Sequence, residues 1–334
     1  MNGESNMEIF VTGGTGFTGS YLVSRLVKEG NEVTVLARKS SNTEKLKKLG
    51  VNLVLGDITD KNLVNSAVKD MDMVYHLAAV WREGGGIPKS VFWDVNVNGT
   101  KNILEASLHA NIERFIHCST CGVLGHIANP PADETYPYNP GDIYQKTKCE
   151  GEKLALEYFH KKGLAGVVVR PTGIYGPGDL RFLKLFKSIN DGKFIMVGKG
   201  DVLYHLTYID DLIEGIMLCG KRKNAIGQTY IIGGDKYVSL NELVALIAKV
   251  LNVPVPQKHF PFFWPVWTAA LACEIVCKPF GINPPVFRRR VDIFRKNRAF
   301  DISKARKELG YEPKVSLEEG IKETAEWYKK EGYL

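Results

Sequence analysis

The stretch TGGTGFTG, residues 12–19, stands between an apolar run at 8–12 and a segment in which Leu22, Val23, Leu26 and Val27 recur with helical period. Gly30 follows as a helix stop. Gly13, Gly16 and Gly19 fall in the order G-x-x-G-x-x-G at a strand-to-helix turn. Gly13 and Gly16 let the backbone turn and come close to a pyrophosphate, and Gly19 lets the helix pack closely. The helix start then offers free N–H groups to an anion. A glycine triplet alone is a weak signal; one in this context, within the first twenty residues, predicts a dinucleotide site.

Outward from that turn the chain keeps alternating. EVTVLA, NLVL, DMVYHL, RFIHCS and AGVVVR read as strands, with helices near 42–48, after Asp60, around 92–109 and around Tyr144 between them. Strands alternating with helices predict a parallel sheet built by right-handed crossovers, an α/β, Rossmann-type doubly wound fold. After Arg170 the regularity lapses into the Gly- and Pro-rich RPTGIYGPGDLRF, although YIIGG at 230–234 reads as a last strand of the sheet. Residues 1–172 are expected to form the dinucleotide-binding domain, with returns to its sheet near 202–234. Residues 173–201 and 235–334 are expected to form a smaller, mostly helical substrate region. Ser239 with Glu242, and Ser316 with Glu319, mark helix starts there.

The 334 residues have the composition of a globular protein, with a net charge of +7. FRRRVDIFRKNR at 287–298 concentrates six cations in twelve residues, yet no nucleic-acid-binding module accompanies it. Six cysteines in a chain of this composition are expected to stay reduced, and the pair Cys118 and Cys121 lacks a second pair at zinc spacing. No metal site is expected. The polar opening MNGESN, followed by a short apolar run, is not a secretory pattern, so a cytoplasmic location is expected. The apolar segment 259–281 is broken by Pro261, Pro265 and Glu274 and is too short for a membrane span. Lying beside the basic stretch, it suggests reversible contact with a membrane surface instead.

Two local patterns carry the chemistry. In DIYQKTKCEGEK, residues 142–153, Tyr144 and Lys148 are one helical turn apart and share a face. At the end of the second strand, where an acid would hold the ribose of NAD, the chain has Ala37, Arg38, Lys39 and two serines. Arg38 suits a 2′-phosphate, so NADP is expected, with NAD as the alternative.

With GDITD, NVNGT, HCSTCGVLG, YQKTK, RPTGIYGPGD and LGYEP following TGGTGFTG in order, the chain resembles the extended short-chain dehydrogenase/reductases of the epimerase and dehydratase type. The resemblance implies Tyr144 as general acid/base, Lys148 lowering its pKa and holding the nicotinamide ribose, and Thr120 as the hydroxyl partner, with Ser119 in a structural position. It places the cofactor along Gly13, Thr15, Gly16, Phe17 and Gly19, with Arg38 at the 2′-phosphate and Asp57 and Ile58 at the adenine. Leu77, Ala78 and Ala79 would lie beneath the nucleotide, and Asn96 and Pro171 on the nicotinamide side with Tyr144 and Lys148. It further implies a small-molecule substrate and a homodimer.

The departures narrow the chemistry. Where the 4,6-dehydratases carry Asp-Glu after the threonine, this chain has Cys121 and Gly122; where sugar-nucleotide epimerases carry a diphosphate-binding Asn and Arg, it has Gly173 and Tyr204. The second half is more similar to the 3β-hydroxysteroid dehydrogenase and dihydroflavonol reductase branch. The expected activity is therefore hydride transfer between a nicotinamide and a secondary alcohol or ketone of a ring substrate. The alternatives are an NAD-dependent nucleotide-sugar epimerase and a non-catalytic NADP-sensing scaffold.

Overall fold

The computed structural model describes residues 6–81, 87–277, 280, 282 and 288–334; Lys278 and the side chains of Arg289 and Arg290 lie outside that description. In the first half strands and helices alternate as β1 (Glu8–Thr12), α1 (Phe17–Lys28), β2 (Glu32–Ala37), α2 (Glu44–Lys48), β3 (Asn52–Leu55), α3 (Lys61–Val68) and β4 (Met73–His76). Then come α4 (Lys89–Trp93), a π-helical turn (Asp94–Gly99), α5 (Thr100–His109), β5 (Arg114–Cys118), α6 (Ile143–Lys161) and β6 (Gly166–Pro171). The second half runs β7 (Gly173–Tyr175), α7 (Leu183–Asn190), β8 (Met196–Val197), β9 (Leu203–Tyr208), α8 (Ile209–Lys221), β10 (Thr229–Ile232), β11 (Tyr237–Ser239), α9 (Leu240–Leu251) and β12 (His259–Phe260). It closes with α10 (Phe263–Cys277), α11 (Arg288–Val291), α12 (Ser303–Leu309) and α13 (Leu317–Lys330).

Seven strands pair in the order β10-β6-β5-β4-β1-β2-β3, all parallel. Side chains alternate between its two faces, so both faces must be covered. Ile9 and Val11 of β1 join Ile116, Val167 and Val169 in one core, closed by Leu22 of α1 and Ile213 of α8. Phe10, between them, joins Phe115 and Val168 in the other core, closed by Val64 of α3, Ile103 of α5 and Tyr158 of α6. The strand order reverses between β1 and β4, where Thr12 lies opposite His76. A crevice opens at that reversal, beyond the carboxyl ends of the strands.

The long helix expected around 92–109 is present without a break from Lys89 to His109, with a π-helical turn at Asp94–Gly99 that buries Asn96. Sequence periodicity does not register the one extra residue in such a turn. The expected boundary at 172 falls between β6 and β7. Of the expected returns, β10 pairs with β6 at the sheet edge, while β9 joins β7 and β11 in a separate small sheet. Ser239 and Glu242 form a reciprocal cap on α9, and the Ser316 hydroxyl accepts from the Glu319 N–H on α13. Among the described residues no helix is long and apolar enough to cross a membrane.

Candidate active site

The glycine turn is shaped by close backbone approaches. Gly13 has a φ of +78°, and a Cβ there would stand 2.7 Å from the backbone of Leu77 and Ala78 at the end of β4. A Cβ on Gly19 would lie 2.1 Å from the Gly13 carbonyl oxygen. Gly16 has an ordinary φ of −80° and precedes α1 with no side-chain cap. The turn therefore presses against β4 while the first N–H groups of α1 point to open space, a cradle that fits a pyrophosphate. Thr15 is exposed in the turn and Phe17 starts the helix.

The remaining expected cofactor residues ring the same crevice. Arg38 is exposed beyond the buried Ala37 at the end of β2. Asp57 accepts from the Thr59 N–H at 3.0 Å and hydroxyl at 2.8 Å, holding its loop, and Ile58 is buried beside it. Leu77 and Ala78 are tied to Thr12 by N–H bonds to its carbonyl and hydroxyl oxygens. Asn96 accepts from the Val80 N–H at 2.8 Å and donates to the Val80 carbonyl at 3.0 Å and to the Thr147 hydroxyl at 3.0 Å. It thereby fixes the strand end that carries Leu77, Ala78 and Ala79 to α6. Pro171 ends β6, buried.

Tyr144 and Lys148 project from the first turns of α6, whose cap is Asp142 accepting from the Gln145 N–H. The Thr120 hydroxyl lies on the Tyr144 phenol and favours its ionised form. Thr120 also accepts from the Gly122 N–H at 3.0 Å, which fixes its rotamer. Ser119 turns the other way, its hydroxyl donating to the Glu152 carboxylate. The fully buried Lys148 donates from Nζ to the Cys118 carbonyl at 2.6 Å. A phenol, a hydroxyl and an ammonium thus gather at the end of β5, beside the glycine cradle.

The NAD dependent epimerase/dehydratase family model matches residues 9–233, two thirds of the chain. The chain belongs to this family. It is therefore an enzyme of the NAD(P)-dependent oxidoreductase type. A 3-beta-hydroxysteroid dehydrogenase from Mycolicibacterium neoaurum is 32% identical, over 96% of this chain and 91% of its own. A putative dihydroflavonol 4-reductase from Synechocystis sp. is 29% identical, over 97% and 95%. Among solved structures, a UDP-glucuronic acid 4-epimerase from Bacillus cereus in complex with NAD superposes with a TM-score of 0.77 at 27% identity, over 97% of this chain and 99% of that one.

Burial of the hydroxyl pushes the Tyr144 phenol of this family member up to about 12, and the neighbouring Cys118 thiol adds to the rise. The Arg181 guanidinium and the Thr120 hydroxyl act against it. The sequence assigned that counterweight to Lys148. In the structure the lysine head is drawn to a strand carbonyl, and Arg181 is the cation that acts on the phenol. Arg181 is held by Asp179 at 2.5 Å and by the Ile174 carbonyl at 2.9 Å, and it stacks 5.4 Å from the Phe17 ring. No periodic signal marked it, because the loop that carries it meets α1 only in three dimensions, through a 2.7 Å bond from Tyr21 to the Pro177 carbonyl.

A buried network supports the family's tyrosine helix from below. The Glu152 carboxylate accepts from Ser119, from the Tyr138 hydroxyl at 2.8 Å, and from Arg170 Nε at 3.0 Å and Nη2 at 2.6 Å. Tyr144, Lys148 and Glu152 are spaced by four along one face of α6, so extending the spacing one more turn would have found Glu152 in the sequence. Beneath Lys148, His76 bridges the Thr12 and Thr100 hydroxyls at 2.7 and 2.9 Å, and burial lowers its pKa to about 3. The buried His117, 5.4 Å away ring to ring, is pushed down for the same reason. Both rings are neutral at physiological pH, so the only positive charge under the site is that of Lys148 among these three.

Proposed function

We propose that this chain is an NADP-dependent oxidoreductase acting on a secondary alcohol or ketone of a ring substrate. The observation that carries the reading is the Thr120–Tyr144 hydroxyl pair beside the glycine cradle. When bound, the nicotinamide cofactor supplies or accepts the hydride. Thr120 orients the substrate oxygen, and Tyr144 donates its proton to that oxygen in reduction or takes it back in oxidation. Lys148 holds the cofactor's ribose. Asn96 keeps the strand end and α6 in register, so that cofactor and phenol face the same carbon.

Arg38, without an acid beside it at the end of β2, supports NADP over NAD. The names of the 3-beta-hydroxysteroid dehydrogenase and dihydroflavonol 4-reductase relatives support a ring substrate. Gly173 supports it too, because it offers no side chain to bind a diphosphate, and a Cβ there would lie 2.7 Å from the Leu206 side chain. Cys121, its thiol directed to the Arg170 carbonyl at 3.2 Å and its pKa raised by burial, is no substitute for the acid of a dehydratase. The likeness to the NAD-bound epimerase favours a second reading, a nucleotide-sugar epimerase with tightly held NAD.

One experiment separates them. The nucleotide that copurifies is identified, and NADPH consumption is followed with cyclic ketones, sterols and UDP-sugars. Stoichiometric consumption with a ring ketone supports the oxidoreductase; interconversion of UDP-sugars without net consumption rejects it. Arg38→Ala should weaken NADPH binding roughly tenfold or more and leave NADH nearly unchanged, by loss of one charge-assisted contact. Equal losses for both would reject the NADP assignment.

A further inference from the structure

α10 is an apolar helix on the outside of the molecule. Of its fifteen residues only Ala270 is fully buried. Its apolar side chains run round the whole helix, so packing against the body covers one side and leaves the rest bare. Trp264, Ile275 and Val276 are 61%, 62% and 64% exposed, and nearby Phe262, Phe280 and Ile282 are 65%, 74% and 59% exposed. An apolar groove of about 360 Å³ between β12 and α10, lined by Phe260, Pro265 and Ala269, continues the patch. A contiguous apolar surface of this kind marks an interaction site.

The charge of the same segment selects the partner. Residues 258–298 hold eight Lys and Arg against Glu274 and Asp292, a net +6 out of +7 for the entire chain. The two acids pair with Arg288 at 2.9 Å and with Lys296 at 2.7 Å, and by sequence the segment still carries six more cations than acids. Cations also lie against the rings of α10: Arg295 is 5.5 Å from the half-buried Phe263 and 5.9 Å from the exposed Trp264, and Arg288 is 5.5 Å from the half-buried Trp267. Apolar and aromatic side chains flanked by cations match an acyl boundary overlaid by anionic headgroups. A second copy of the chain fits poorly, because face-to-face pairing would set +6 against +6. We infer that α10 and its basic flank dock the protein reversibly on an anionic lipid bilayer. The docking is peripheral, and it is independent of which substrate the active site takes.

The test uses the full chain with vesicles of phosphatidylcholine alone or with about one third phosphatidylglycerol, at roughly 0.05 and 0.5 M NaCl. Co-sedimentation is expected with the anionic vesicles only, weakening roughly tenfold or more at the higher salt, with a blue shift of tryptophan emission on binding. The double variant Trp264→Ser, Val276→Ser changes two exposed side chains of α10 and none of the catalytic groups. It should lose vesicle binding while keeping its turnover, and Arg295→Gln should weaken binding. Four results would each overturn the inference: no sedimentation under any condition, equal sedimentation with neutral vesicles, binding unchanged in the double variant, or a concentration-dependent dimer in vesicle-free solution that the double variant abolishes.

Discussion

In the free enzyme Tyr144 is a proton donor, and its ionisation should separate the two directions of the reaction. With the phenol at about 12, phenolate at pH 7 lies about five units uphill, or about 7 kcal/mol. Reduction starts from the protonated phenol and needs none of that energy. Oxidation needs phenolate, so kcat/KM for the alcohol should climb with pH, roughly tenfold per unit, until the phenol of the cofactor complex is ionised. Because Arg181 is the cation acting on the phenol, Arg181→Met should raise its pKa further. Oxidation at pH 8 should then fall by tenfold or more, on the order of one pKa unit, while reduction at pH 7 barely changes. Arg181→Lys should recover part of the loss. The assay is initial rate against pH in both directions, with Tyr144→Phe as the control that loses both by roughly 100-fold or more. Oxidation flat from pH 6 to 9, or Arg181→Met slowing both directions equally, would refute the assignment.

Two other substitutions probe the scaffold. Glu152→Leu leaves the buried Arg170 guanidinium unpaired; it should cost about 3–5 kcal/mol and lower the melting temperature by roughly 5–15 °C, and an unchanged melting curve would show that the network is dispensable. Gly19→Ala puts a methyl 2.1 Å from the Gly13 carbonyl, so α1 must withdraw from the turn. Its circular dichroism should stay native while NADPH affinity, measured by fluorescence quenching, drops roughly tenfold or more through the lost helix-terminus contacts; native affinity would mean that the turn is not the pyrophosphate cradle.

The sequence by itself determined what depends on short-range order. Apolar runs alternating with helical periods imply a parallel sheet, because a strand followed by a helix leaves the next strand few other places to go. The glycine turn and the four-residue step from Tyr144 to Lys148 are local in the same sense, since neighbours along the chain are neighbours in the site. What only the tertiary structure decided is what happens when distant segments meet. Ser119 and Thr120 are adjacent and chemically alike, and no local signal says which hydroxyl faces the phenol; the buried Glu152, thirty-three residues from Ser119, draws one hydroxyl away and leaves the other to Tyr144. Arg181 reaches the phenol because the loop after β7 is strapped to α1 by a bond spanning 156 residues. Lys148 faces a strand carbonyl because burial leaves its ammonium no other strong acceptor as near. Such choices turn on desolvation and on partners far off in the chain, and these exist only once the chain has folded.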